Sequence, residues 1–188
     1  MKAGELRPGM GVKMDGKIMV VVQYEHRTPG NLRAFTQLKL RDISSGKHFE
    51  KRMNPAEEVD GITLDRREME FLYTDGQGGG TFMDTSSYDQ IELSPEMLGD
   101  ILVYLPPNST CIMLFHDATP VTIELPASVD VTVTETPPGI KGATATNQLK
   151  DAECDTGLKT RVPPFIEIGE KIKVSTADGS YISRVKGD

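Results

Sequence analysis

At residues 12–41 the chain reads VKMDGKIMVVVQYEHRTPGNLRAFTQLKLR, a stretch that places two turn signals between strand-like segments. Asp15-Gly16, flanked by apolar residues, is a strong signal for a tight β-hairpin. Pro29-Gly30 marks a second turn, after which residues 35–41 alternate between apolar and polar side chains as a half-buried strand does. The stretch therefore predicts a meander of short strands, which suits a small barrel.

Short apolar segments and turn residues continue to the end of the chain. The 188 residues include 12 Pro and 18 Gly, which favours many turns over long helices. A hydrophobic content of 37% suits several small cores better than one large core. We predict an all-β protein of three small barrels at residues 1–62, 63–126 and 127–188. The last two have the size of OB-type barrels, although strand spacing alone does not select the OB topology.

A few segments receive individual predictions. Ser94-Pro95 predicts a short helix over about 94–99, with Ser as the N-cap and Pro at the first helical position. The apolar segments at 103–105 and 166–168 are predicted to be strands. Residues 54–61 are polar and without a clear period, and the first domain boundary is placed after them.

Charge is distributed unevenly along the chain. Residues 1–62 carry 11 basic and 8 acidic side chains, whereas residues 63–126 carry only Arg66 and Arg67 against 11 acids. Residues 127–188 are nearly balanced, and the whole chain has a net charge of −7. The basic first third can approach phosphates, and the acidic middle would be repelled by them. The alternative is that the acidic segment only keeps the surface solvated.

The sequence contains no catalytic motif that we can identify. The three histidines are scattered, and the two cysteines lack further cysteine or histidine at zinc-ligand spacing. The glycines at 78–80 are not followed by Gly-Lys-Ser/Thr and lead into a strand, which argues against a phosphate-binding loop. We therefore expect no enzymatic activity, no metal site and no cofactor.

The chain is expected to be cytoplasmic and without a membrane segment. No apolar run approaches the roughly 20 residues of a membrane span, and the first residues lack the apolar core of a signal peptide. Two unpaired cysteines fit a reducing compartment.

Three separate motifs resemble the bacterial elongation factor P family, in the right order and spacing. Residues 159–184 resemble the C-terminal signature of the family, and residues 136–142 resemble the segment that opens its last domain. Pro29-Gly30 with Ala34-Phe35, followed by residues 38–42, resembles its N-terminal loop and the next strand. The resemblance implies an N-terminal SH3-like barrel and two OB-fold barrels in an L-shaped arrangement that mimics transfer RNA.

The resemblance also implies a function. Members of the family bind the ribosome between the peptidyl and exit sites and stimulate peptide-bond formation when consecutive prolines stall synthesis. They act on peptidyl-tRNA by positioning, without covalent chemistry, and a monomer is implied. The loop at residues 27–34 would reach the peptidyl-transferase centre. A non-ribosomal OB-domain protein that binds single-stranded nucleic acid, a small hydrolase and a specialised paralogue of the family are the alternatives.

One loop position departs from the family pattern. Members usually have a modified lysine or arginine after Pro-Gly, but this chain has Asn31, and the nearest cation is Arg33. We expect the loop to work unmodified; the rival is that Arg33 itself is modified, by an enzyme that the sequence does not identify. The candidate residues form three groups: the loop residues Pro29, Gly30, Asn31, Leu32 and Arg33, the tRNA-backbone candidates Arg27, Lys39 and Arg41, and the small-subunit candidates Tyr181 and Arg184.

Overall fold

The computed structural model describes residues 1–30, 32–139 and 148–186. Their secondary structure consists of short strands in three five-stranded sheets, with one α-helix of a single turn and two 3-10 helices. The prediction of an all-β protein is confirmed. The chain divides into two compact units, one of Met1–Arg67 with Met113–Glu124 and the other of Glu68–Ile112 with Leu125–Asp188.

The first sheet contains the predicted meander. Its strands are β1 (Gly11–Met14), β2 (Lys17–Arg27), β3 (Phe35–Asp42), β4 (His48–Met53) and β5 (Asp60–Ile62), in the order β4-β3-β2-β1-β5. Asp15 and Gly16 have φ angles of 50° and 74°, the left-handed pair that a tight hairpin turn requires. The predicted Asp-Gly hairpin is confirmed. The short strand β5 begins at the end of the polar segment 54–61, to which the sequence assigned no structure, and it pairs with β1.

The first sheet encloses its own hydrophobic core. Leu6, Val12, Leu38 and Leu40 are at most 1% exposed and pack in one cluster with neighbouring Met and Val side chains. Leu38 and Leu40 come from alternate positions of β3, so the alternation read from the sequence is the side-chain pattern of the folded strand. This core holds β2 and β3 side by side.

The second sheet lies between residues 65 and 124. Its strands are β6 (Asp65–Thr74), β7 (Gly80–Asp84), β8 (Gln90–Leu93), β9 (Thr110–His116) and β10 (Thr119–Glu124), in the order β10-β9-β6-β7-β8. The helix α1 (Pro95–Leu98) follows β8 and begins at Pro95, as predicted. Phe82 of β7 is fully buried, lies opposite Phe71 of β6 and contacts its ring.

The third sheet lies between residues 128 and 184. Its strands are β11 (Ser128–Glu135), β12 (Lys150–Cys154), β13 (Lys159–Val162), β14 (Lys171–Ser175) and β15 (Tyr181–Arg184), in the order β13-β12-β11-β14-β15. Its core contains buried Val, Ile and Leu side chains together with Cys154. The two cysteines are buried free thiols, and burial raises the pKa of each to about 11.

Two predicted strands are wrong. Residues 101–104 form a 3-10 helix, because Val103 and Tyr104 pack against the core of the third sheet instead of extending the second. The Thr156 hydroxyl donates a hydrogen bond of 2.7 Å to the Val103 carbonyl, which fixes this helix. Residues 166–168 form no strand: Ile166 is fully buried, whereas Ile168 is 62% exposed beside a turn.

A buried carboxylate closes the turn between β3 and β4. Asp42 is 1% exposed and accepts hydrogen bonds from the Ser44 hydroxyl, the Ser44 amide and the Ser45 hydroxyl, while Lys17 lies 3.6 Å away. These bonds, chiefly those from Ser44, together with the charge of Lys17, hold the pKa of Asp42 well below its usual range.

The Asp42→Ala variant is expected to be less stable than the parent by an amount that depends on pH. A carboxyl whose pKa is lower in the folded chain stabilises the fold above its ordinary pKa of 3.8 and loses that contribution as the pH falls below it. The difference in melting temperature between parent and variant should therefore be constant near neutrality and shrink below about pH 4. A difference that stays constant down to pH 2 would contradict this account.

Candidate functional site

The candidate loop joins two long paired strands. Arg27, at the end of β2, lies opposite Phe35, at the start of β3, and this pair closes the loop of residues 28–34. The pairing continues back into the sheet, so the loop extends from a stem whose inner part is held by the first core. A loop on such a stem has a defined origin and direction.

The tip of the loop is a tight turn exposed to solvent. The Leu32 amide donates a hydrogen bond of 3.1 Å to the Pro29 carbonyl, and the Leu32 side chain is 71% exposed. A Cβ added at Gly30 would meet nothing within 4 Å, so the surroundings of the turn are open. Asn31, the residue that differs from the family pattern, lies outside the described residues.

The two arginines of the loop region differ in their surroundings. The Arg27 guanidinium is held by Glu25, with an Nη2 to Oε2 distance of 2.7 Å. Arg33 is exposed, and none of the residues that the structure describes forms an ion pair with it. The loop therefore presents one charge that is partly neutralised and one that is available to a partner.

Lys39 and Arg41 lie on the face of β3 opposite the core, as predicted. Both are half-buried rather than fully exposed. Lys39 lies between Gln23 and Glu50 of the neighbouring strands in the sheet register. Burial lowers the pKa of Arg41, which is engaged within the protein. These two cations are less accessible than the sequence alone indicates.

Sequence reasoning missed Arg52. Its guanidinium carbon lies 3.5 Å from the centroid of the Phe35 ring, at the base of the loop. The two residues are far apart in sequence, but the turn at Ser45-Gly46 sets the pairing of β3 with β4 and brings them onto one face. Ser45-Gly46 is itself a turn signal in the sequence, so counting back along the two strands is what would have revealed the contact.

The two C-terminal candidates lie together on β15. Arg184 forms an ion pair with Glu170 and lies 5.5 Å from the Phe165 ring centroid. Tyr181 is half-buried and packs against the third core; burial, the main cause, raises its pKa. Both side chains therefore have structural roles in addition to any role at an interface.

The described ranges contain no group of three or more His, Cys, Asp or Glu side chains arranged to hold a metal ion. Within the same ranges, none of the helices has both the length and the apolar character that a membrane crossing requires.

The described residues form three small sheets, and the candidate site lies on an exposed loop rather than in an enclosed cavity. These features define a modular all-β protein. Three family models match consecutive parts of it. The elongation factor P KOW-like domain matches residues 2–59, the elongation factor P OB domain matches residues 64–123, and the elongation factor P C-terminal domain matches residues 129–184. The chain belongs to the elongation factor P family, and it is a translation elongation factor rather than a classical enzyme.

Curated relatives match this chain over nearly its full length. The chain is 47% identical over 182 residues to elongation factor P of Acidobacterium capsulatum, covering 97% of each chain. It is 42% identical over 183 residues to elongation factor P of a Nocardioides species, again covering 97% of each. A solved structure, eukaryotic translation initiation factor 5A from Methanococcus jannaschii, is 21% identical with a TM-score of 0.42, covering 67% of this chain and 90% of the other.

The matches bear on the predicted barrel types. The KOW-like match agrees with the predicted SH3-like barrel at the N-terminus, and the OB match agrees with the predicted OB barrel in the middle. The predicted fold class is thereby confirmed. The domain boundaries at 62 and 126 remain a prediction.

Proposed function

We propose that this chain binds the ribosome between the peptidyl and exit sites and stimulates peptide-bond formation at consecutive prolines. The observation that carries the proposal is the exposed loop of residues 28–34, closed by the Arg27–Phe35 pair and carrying Arg33 without an ion-pair partner among the described residues. A cationic, solvent-exposed loop on a stem of two paired strands is suited to entering a site built of RNA.

The proposed mechanism is orientation. The proline ring fixes φ and makes proline a poor reactant when the peptidyl chain is misaligned. A protein that holds peptidyl-tRNA in a reactive geometry lowers the barrier without taking part in bond formation. No nucleophile, general base or metal is required of the loop.

Each loop residue is proposed to have a separate role that follows from its chemistry. Pro29 and Gly30 form a narrow turn, and Leu32 adds an apolar side chain at the tip. Arg33 supplies a planar cation that can pair with phosphate or stack on a base. Asn31 would offer an amide donor and acceptor to the terminal nucleotides of the tRNA. Arg27, Lys39 and Arg41 are proposed as contacts to the tRNA backbone, with contributions reduced by the surroundings described above.

The C-terminal sheet is proposed to face the small ribosomal subunit. Tyr181 and Arg184 would contribute to that contact, Arg184 while it remains beside Glu170. We further propose that the factor acts as a cytoplasmic monomer. A factor that binds between two tRNA sites must keep its flanks free, which favours the monomer.

The proposal is tested by synthesis of a consecutive-proline reporter in a purified translation system. The protein is produced in a host without loop-modifying enzymes, and its intact mass is compared with that of the protein from its native host. Relief of the stall is expected, because the proposed loop works without modification. A reporter without the proline run controls for general effects on translation.

Two other outcomes separate the parts of the proposal. Ribosome binding without relief, combined with an added mass on the native protein, would show that the loop requires modification. Loss of both relief and ribosome binding would overturn the proposed function.

A further inference from the structure

The outer face of β2, β3 and β4, at the base of the loop, forms a shallow groove lined by both cations and carboxylates. Arg27 is paired there with Glu25, and Lys39 lies opposite Glu50 in the register. Arg52 lies opposite Gln37, which carries no charge. Among the described residues Arg52 is exposed and has no carboxylate within ion-pair distance. Its charge is therefore left for a partner.

Arg52 is also held in place. At 3.5 Å, its distance to the Phe35 ring centroid is shorter than the four other cation–ring distances in the described chain, which run from 4.5 to 5.5 Å. Stacking on a ring restricts a long flexible side chain and leaves the N–H edges of the guanidinium available. Phe35 is itself fixed as the partner of Arg27 at the end of the stem.

We infer that Arg52, stacked on Phe35, is a phosphate-binding residue through which the N-terminal sheet contacts an RNA backbone. A planar guanidinium presents two parallel donors to two oxygens of a phosphate, and an immobilised one loses less entropy on binding. The inference rests on the proposed function, since it assigns the sheet beside the loop to peptidyl-tRNA. It adds a contact residue that the loop itself does not contain.

The test is binding to 70S ribosomes that hold a peptidyl-tRNA in the peptidyl site, measured over a range of salt concentrations. The Arg52→Gln variant is expected to bind about tenfold more weakly at moderate salt. The slope of log affinity against log salt concentration should be smaller in magnitude by about one, which corresponds to one released counterion. The matched control is Lys51→Gln, which removes the same charge from the preceding residue, whose ammonium lies 3.6 Å from Asp15; it is expected to bind as the parent does.

A second variant tests the stack itself. Phe35→Leu keeps every charge but removes the ring, so it should reproduce part of the loss caused by Arg52→Gln. The double variant should then lose less than the sum of the two single losses, because the ring acts through the arginine. Full additivity would overturn the positioning role of Phe35.

This experiment distinguishes failure of the Arg52 inference from failure of the proposed function. Parental binding and an unchanged salt slope in Arg52→Gln, with a parent that relieves proline stalls, would overturn this inference alone. Weaker binding with an unchanged slope would also overturn it, because the contact would then be to something other than phosphate, such as an acidic protein surface. A parent that fails to bind ribosomes would overturn the proposed function and this inference with it.

Discussion

Replacement of Arg33 by alanine is expected to reduce relief of consecutive-proline stalls by about tenfold or more, while leaving the fold intact. Hydrogen bonds to charged groups contribute about 1.5–3 kcal/mol each, so loss of one at the reacting centre changes a rate by this order. Arg33 is exposed and has no ion-pair partner among the residues that the structure describes, so its removal breaks no ion pair there. The measurement is the rate of full-length reporter synthesis in the purified system.

Two further variants define what Arg33 contributes. Arg33→Lys keeps the charge but lacks the planar fork, so partial relief would indicate a charge contact and no relief would indicate bidentate pairing or stacking. Lys47→Ala removes an exposed cation from the turn between β3 and β4 and is expected to relieve stalls normally. Undiminished relief by Arg33→Ala would remove Arg33 from the proposed mechanism.

Replacement of Phe82 by alanine is expected to destabilise the fold by about 3–5 kcal/mol. Phe82 is 0% exposed, and its ring lies 5.3 Å from that of Phe71, centroid to centroid. Its strand β7 lies between β6 and β8, with Phe71 on one side and Ile91 on the other. A cavity at this position has packed neighbours on both sides that cannot readily collapse into it. The measurement is equilibrium unfolding in urea.

The matched control for Phe82 is Tyr73→Ala. It also removes an aromatic ring from the second sheet, but Tyr73 is 58% exposed, so the expected change is within about 1 kcal/mol. Because Phe82→Ala could fail to fold at all, Phe82→Leu is measured beside it, with a smaller loss expected. Equal stability of parent and Phe82→Leu, or a larger loss for Tyr73→Ala than for Phe82→Ala, would contradict this account of the core.

Local signals predicted most of the strands. The Asp15-Gly16 turn and the alternation around Leu38 are properties of neighbouring residues, and both appear in the structure as predicted. Strand β5 was missed because Asp60–Ile62 is only three residues long, contains a glycine and is ordered by pairing with β1, which is distant in sequence. Strand β12 was missed for a related reason: Lys150–Cys154 contains three charged residues, and only Ala152 and Cys154 face the core.

The failure at residues 101–104 has a different origin. The apolar run at 101–105 has five residues, which fits a strand or a helical turn equally well, so its length does not decide between them. Its conformation is set by Thr156 and the third core, which are distant in sequence. No local pattern carries that information.

The candidate loop could be located from sequence, but the state of its charges could not be predicted in full. The Glu25–Arg27 pair was accessible in principle, since residues two apart on a strand share a face. The contact between Arg52 and Phe35 requires the register of two strands, and the partial burial of Lys39 requires the positions of its neighbours. Residue type locates a cation along the chain, whereas packing determines whether the cation is available.

The 3-10 helix of residues 101–104, which follows α1, limits how this protein can be divided. Val103 and Tyr104 belong in sequence to the predicted middle domain but fill part of the third core, and the Tyr104 hydroxyl lies 3.1 Å from where a Cβ on Gly179 would be. A truncation or a chimaera joined at residue 126 would separate this segment from the surface it covers and leave the isolated C-terminal fragment with an apolar gap. A chimaera of two homologues therefore has to take residues 101–104 and the last sheet from the same parent.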